Sequence, residues 1–124
     1  MKRVLIVEDN VALIRIWTMS LLKLEIVSAT SITEAEEKFE NFGADFAAIV
    51  LDGSVLANPM SEYDDALTLE LAIKFRKTYK GLMIAASSDP DIRERLMASG
   101  CNLQCDKQFV TDILSRDIEY IVLV

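Results

Sequence analysis

The chain has 124 residues, 52% of them hydrophobic and 27% charged, which suits one globular domain with its own core and leaves no room for a second. A net charge of −7 and a pI near 4.5 count against nucleic-acid or anionic-membrane binding, which needs clustered Lys and Arg. Apolar runs fall well short of the roughly 20 residues of a membrane span, and the N-terminus enters a strand without a signal-peptide pattern, so a cytoplasmic location is expected.

Residues 3–7 form a short β-branched run that predicts a strand and ends in the acidic pair Glu8-Asp9. Residues 11–23 carry Leu13, Ile14, Ile16, Trp17, Met19, Leu21 and Leu22, predicting a helix heavily buried against a sheet and capped by Asp9 or Asn10. A short strand over 24–28 precedes Ser31 and Glu34, whose S-x-x-E spacing opens a helix through Phe42 that Gly43 closes. The run 46–51 predicts a strand buried on both faces, and it ends in Asp52 followed at once by Gly53. An irregular stretch over 53–65 leads into a helix with Leu67, Leu69, Leu71, Ile73 and Phe75, running to Tyr79 and stopped by Gly81. Residues 82–86 predict a fourth strand, and Ser87-Ser88-Asp89-Pro90 is a helix start with Asp89 as N-cap, for a helix ending at Gly100. A weak fifth strand over 102–105 leads to Asp106-Lys107, and a last helix begins at Thr111. The terminal run 121–124 reads as the buried end of that helix, a strand pairing elsewhere, or a contact surface.

Five such units predict an α/β fold: a doubly wound, flavodoxin-like, five-stranded parallel sheet with helices on both faces, in a single domain over 1–124. Periodicity does not prove a strand order. The order 2-1-3-4-5 is the one that brings Asp9 and Asp52 to a shared crevice at the switch point. Glu8, Asp9 and Asp52 then converge on one rim. Two unit charges ~4 Å apart repel by about 4 kcal/mol in partly screened protein, against a whole-domain stability of roughly 5–15 kcal/mol. Such a cluster calls for a counter-cation, and carboxylate oxygens on an open rim suit Mg²⁺. Taken singly, each acid reads as a solvated or helix-capping strand end; taken together, with Lys107 downstream, they read as a site. Cys101 and Cys105, in a chain without His, read as reduced packing residues rather than as part of a four-ligand zinc site.

The segment 4–10, the strand end Ile49-Val50-Leu51-Asp52, the Ser87-Ser88 pair and Lys107 together resemble the receiver domain of bacterial and archaeal response regulators. The resemblance covers essentially the whole chain and is to the stand-alone, chemotaxis-regulator-like kind. It implies Asp52 as phosphoacceptor, taking a phosphoryl group from a sensor histidine kinase, a phosphotransfer protein or a small acyl phosphate. It implies Mg²⁺ held by Asp9, Asp52, Glu8 directly or through water, and the backbone carbonyl of Ser54. Lys107 then neutralises charge on the transferring group, and Ser87 donates its hydroxyl to the bound phosphoryl. The resemblance further implies a signalling domain rather than an enzyme, with at most slow self-phosphorylation and self-dephosphorylation. Its output is then a downstream protein partner or a homodimer.

The chain departs from the family pattern in places. Gln104 stands where an aromatic residue is common, and Gln108 where a proline is common. The strand-end pattern puts the hydroxyl position at Ser87 or Ser88, whereas an ungapped count back from Gly100 and Lys107 puts it at Ala85. The connection after Asp52 is longer than is usual, and its 58–65 stretch either folds over the acidic rim or stays mobile. These departures keep open a second function, a receiver-shaped interaction module that acts independently of phosphorylation. An enzyme reading, from the faint likeness of 51–55 to the D-x-D-G-T loop of haloacid-dehalogenase-type phosphatases, places the nucleophile on Val50, which cannot form an aspartyl phosphate. Neither a G-x-x-x-x-G-K-S/T loop nor a G-x-G-x-x-G turn is present.

Overall fold

Val4 to Val7 and Ala47 to Leu51 contain no polar side chain, the composition of strands covered on both faces. They form the middle of the sheet. The computed structural model describes residues 1–58 and 65–119. Strands β1 (Lys2–Val7), β2 (Leu24–Ala29), β3 (Phe46–Leu51), β4 (Leu82–Ala86) and β5 (Leu103–Cys105) alternate with helices α1 (Val11–Ser20), α2 (Ile32–Phe42), α3 (Asp65–Arg76), α4 (Pro90–Ala98) and α5 (Val110–Leu114). The order is β2-β1-β3-β4-β5, and every pairing is parallel. This is the doubly wound order expected from the sequence.

The two-residue period of the strands divides the core. Leu5, Val7, Ile49, Leu51 and Met83 pack against Ala35, Phe75 and Leu96 of α2, α3 and α4. Val4, Ile6, Val50 and Ile84 turn the other way, onto Ile14, Trp17, Ile113 and Leu114 of α1 and α5. Local signals start and stop the helices. Asn10, rather than Asp9, caps α1 by accepting from the Leu13 N–H at 3.1 Å. Ser31 caps α2, which ends at Gly43 with φ of 48°, a left-handed conformation that glycine adopts without a Cβ penalty. Asp89 caps α4 through the Asp91 N–H at 2.9 Å, with Pro90 in the first turn.

Several boundaries differ from expectation. Helix α1 stops at Ser20, and only the side bearing Ile14 and Trp17 is buried. Ile16, Met19 and Leu22 are 58%, 69% and 78% exposed, because residues apolar all round a helix cannot all face one sheet. Helix α3 ends at Arg76, since Tyr79 turns inward to donate its hydroxyl to the Phe46 carbonyl at 3.0 Å. The last helix is a composite: a 3₁₀ turn over Lys107–Phe109, then α5, then a π-helical turn over Ser115–Glu119. The aliphatic run 121–124 lies outside the described residues.

The described half of the long connection is fastened down. Val55 is fully buried, Ile32 N–H donates to the Leu56 carbonyl at 2.8 Å, and Thr33 N–H donates to the Ala57 carbonyl at 3.0 Å. The Thr33 hydroxyl donates to the same Ala57 oxygen at 2.9 Å. The loop thus leaves β3 toward the start of α2, while residues 59–64, which hold most of the 58–65 stretch, lie outside the described residues. Among the described residues, no helix is long and apolar enough to cross a membrane.

Candidate functional site

Register brings the acids together. Val7 pairs with Leu51, and the Asp52 N–H donates to the Val7 carbonyl at 2.9 Å, so β3 ends beside the point where β1 passes into Glu8-Asp9. The Glu8 N–H bonds the Ala29 carbonyl of β2 at 3.0 Å. One carboxylate oxygen from each of Glu8, Asp9 and Asp52 lies within 4.8 Å of the others. From the far end of the sheet Lys107 reaches in, its Nζ 2.9 Å from Glu8 Oε1 and 3.3 Å from Asp52 Oδ2.

Above this group is an open cavity of about 390 Å³, lined by Asp9, Asp52, Ser54, Ser87 and Lys107. Its remaining wall is Ser88, Asp89 and Ile92, at the start of α4. Glu8 is 1% exposed and lies beneath the others. Glu8, Asp9, Asp52, Ser54, Ser87 and Lys107 therefore meet in one place. Ala85 does not reach it: it is paired with Leu51 and Gln104 within the sheet and fully buried. Ser87, one residue past the end of β4, is at the cavity. Gln104 is exposed on β5.

Two contacts escaped the sequence reading. A Cβ built on Gly53 would lie 1.9 Å from Ile92 Cγ2, so a residue without one is what lets α4 approach the backbone next to Asp52. Arg93 Nη1 donates to the Ser87 carbonyl at 2.6 Å. The Asp89-Pro90 helix start was the available signal, because it sets the first turn of α4 at the strand ends.

Burial dominates the electrostatics. It pushes the Glu8 carboxyl up to about 8, reinforced by the hydrogen bond and like charge of Asp52 and only partly offset by Lys107. Burial also raises Asp52, against the lowering effect of its bond with Glu8 and of Lys107. Burial disfavours the Lys107 ammonium, but its bond to Glu8 and the charges of Asp52 and Glu8 outweigh that and raise it. Glu8 and Asp52 are coupled, and burial pushes both carboxyls upward, Glu8 to about 8. Three hard oxygen donors crowded on one side and a single cation on the other form a donor set that fits a small oxygen-preferring dication.

Solved structures similar to this chain share its fold. The chemotaxis protein CheY4 of Vibrio cholerae superposes with a TM-score of 0.70 at 21% identity, over 94% of each chain. A two-component response regulator of Clostridium difficile gives 0.73 at 16% identity, over 99% of this chain and 97% of that one. A CheY-like response regulator receiver domain protein of Methanospirillum hungatei gives 0.71 at 21% identity, over 98% and 94%. No protein-family model matches the chain, and no curated protein matches it. The chain has the CheY-like receiver fold.

Proposed function

We propose that this chain is a receiver domain of a two-component phosphorelay, accepting a phosphoryl group on Asp52. The observation that carries the reading is Asp52 at the floor of an open cavity with Lys107 at 3.3 Å and Asp9 and Ser87 on its walls. In the transfer, an Asp52 carboxylate oxygen forms a bond to phosphorus while the donor's bond to phosphorus breaks, and the donor's nitrogen or oxygen keeps the electron pair. Little covalent chemistry is left to the protein, so its task is alignment and charge neutralisation. The Lys107 ammonium stands on one side of the developing charge. The Ser87 hydroxyl accepts from the Asp89 N–H at 3.1 Å, which leaves its own proton free to donate to a phosphoryl oxygen.

Asp9, Asp52, Glu8 and the Ser54 carbonyl are the residues that would hold Mg²⁺, which when bound supplies positive charge to the phosphoryl oxygens. The donor is a sensor histidine kinase, a phosphotransfer protein or an acyl phosphate, and the setting is the cytoplasm. The chain acts as a switch read by a downstream protein or a second copy, and its only turnover is slow self-phosphorylation and self-dephosphorylation. A second reading, a receiver-shaped module independent of phosphorylation, is favoured by exposed Gln104 on β5 and by Lys107 lying closer to Glu8 than to Asp52.

Incubation with acetyl phosphate and Mg²⁺, followed by intact mass, separates the two. The first reading expects one hydroxylamine-labile phosphoryl adduct on wild type and none on Asp52→Asn. Mg²⁺ binding without an adduct selects the second.

A further inference from the structure

Ser87 is held at three points. Its N–H donates to the Cys105 carbonyl at 3.3 Å, its hydroxyl oxygen accepts from the Asp89 N–H at 3.1 Å, and its carbonyl accepts from Arg93 Nη1 at 2.6 Å. The last is the shortest of the three and is charge-assisted, so it is the strongest. It also fixes a plane. A trans peptide is rigid, and its N–H points opposite to its C=O. Anchoring the Ser87 carbonyl to α4 therefore sets the direction of the Ser88 N–H, and Ser88 lines the acidic cavity beside Ser87.

Arg93 follows Ile92, the residue whose side chain closes over Gly53. One turn of α4 thus touches the backbone after Asp52 with one side chain and holds the end of β4 with the next. Arg93 is half-buried and does not line the cavity itself.

We infer that Arg93 is a positioning residue for the phosphoryl group: by gripping the Ser87 carbonyl it orients the Ser87–Ser88 peptide so that the Ser87 hydroxyl and the Ser88 N–H face the oxygens carried by Asp52. This rests on the phosphoacceptor reading of Asp52. Arg93 touches no reacting atom, and its effect is confined to the donors that meet the phosphoryl oxygens. The acids that would hold the metal sit on the ends of β1 and β3 and are not gripped by it.

The test compares wild type, Arg93→Met and Arg93→Lys in the full chain, using Mg²⁺ alone and then beryllofluoride, an unreactive copy of a phosphoryl group, by calorimetry. Arg93→Met is expected to weaken beryllofluoride binding about tenfold, the scale of losing one hydrogen bond to a charged group, with Mg²⁺ affinity within twofold of wild type. Arg93→Lys, which keeps a charged donor, is expected to recover most of that loss. Unchanged beryllofluoride affinity in Arg93→Met overturns the inference. So does a parallel loss of Mg²⁺ and beryllofluoride binding in both variants, which is what a merely structural arginine gives. If wild type binds Mg²⁺ but takes neither beryllofluoride nor a phosphoryl group, the phosphoacceptor reading fails and this inference fails with it. A phosphorylated wild type with an indistinguishable Arg93→Met variant sinks this inference alone.

Discussion

Lys107 Nζ lies 2.9 Å from Glu8 Oε1, joining the first and last strand ends across a separation of 99 residues. The Lys107 side chain is about one-quarter exposed, while the Glu8 side chain is almost wholly buried. Removing the cation leaves two buried acids facing one another with no positive charge beside them. Lys107→Met is therefore expected to cost about 2 kcal/mol at pH 8, below the cost of breaking a fully buried pair because the lysine is partly solvated. The cost shrinks at pH 5, where Glu8 is protonated. Denaturant melts at the two pH values check this; equal losses would contradict it.

The pH dependence has a definite sign. Glu8 titrates near 8 in the folded chain, against an ordinary value of 4.5. Between those values the folded state binds more protons than the unfolded one, so stability falls as pH rises through that window. Without Mg²⁺, the melting temperature should climb from pH 8 to pH 6. A melting temperature that drops steeply from pH 7 to pH 5 would count against the crowding of these acids.

Glu8→Gln imitates the protonated carboxyl. At pH 8 without metal it should melt higher than wild type, with a flatter profile between pH 6 and 8. Mg²⁺ titrations should release fewer protons from this variant, because metal binding displaces the proton that Glu8 holds. Identical proton release in both proteins would place that proton elsewhere.

Gly53→Ala tests the closeness of α4 to the acceptor strand. The added methyl meets Ile92 Cγ2, an overpacking expected to cost about 1–3 kcal/mol. Ile92→Ala in the same chain should recover much of that loss, giving a clear coupling energy in a double-mutant cycle. Additive effects would mean the two residues do not meet.

Ile16 and Met19 read as core from the sequence and are exposed in the fold. Ile16→Lys and Met19→Glu should each change stability by no more than about 0.5 kcal/mol. Losses of about 2 kcal/mol or more, the cost typical of truncating a core aliphatic, would restore the original reading.

What could be read in the sequence follows from the range of the signals. The acids at 8, 9 and 52 were legible because they end apolar strands and the lysine at 107 because it follows a weaker one, and a parallel sheet gathers such ends on one rim. The outward side of α1 was not, since Arg15, Thr18 and Ser20 are interspersed with Ile16, Trp17 and Met19 and mark no single polar face. The choice between Ala85 and Ser87 needed the pairing of Ala85 with Leu51, which no local pattern contains. The Arg93 bond to Ser87 and the strap from Thr33 to Ala57 depend equally on tertiary approach. The last helix was expected to begin at Thr111, yet the chain is 3₁₀ over Lys107–Phe109 and widens to π over Ser115–Glu119, changes of winding that no local pattern signals.

The most direct measurement is the mass of the chain after acetyl phosphate and Mg²⁺, wild type beside Asp52→Asn. A single phosphoryl adduct is expected on wild type, labile to hydroxylamine and lost in the variant. An adduct that survives the substitution, or none on a wild type that binds Mg²⁺, would contradict that expectation.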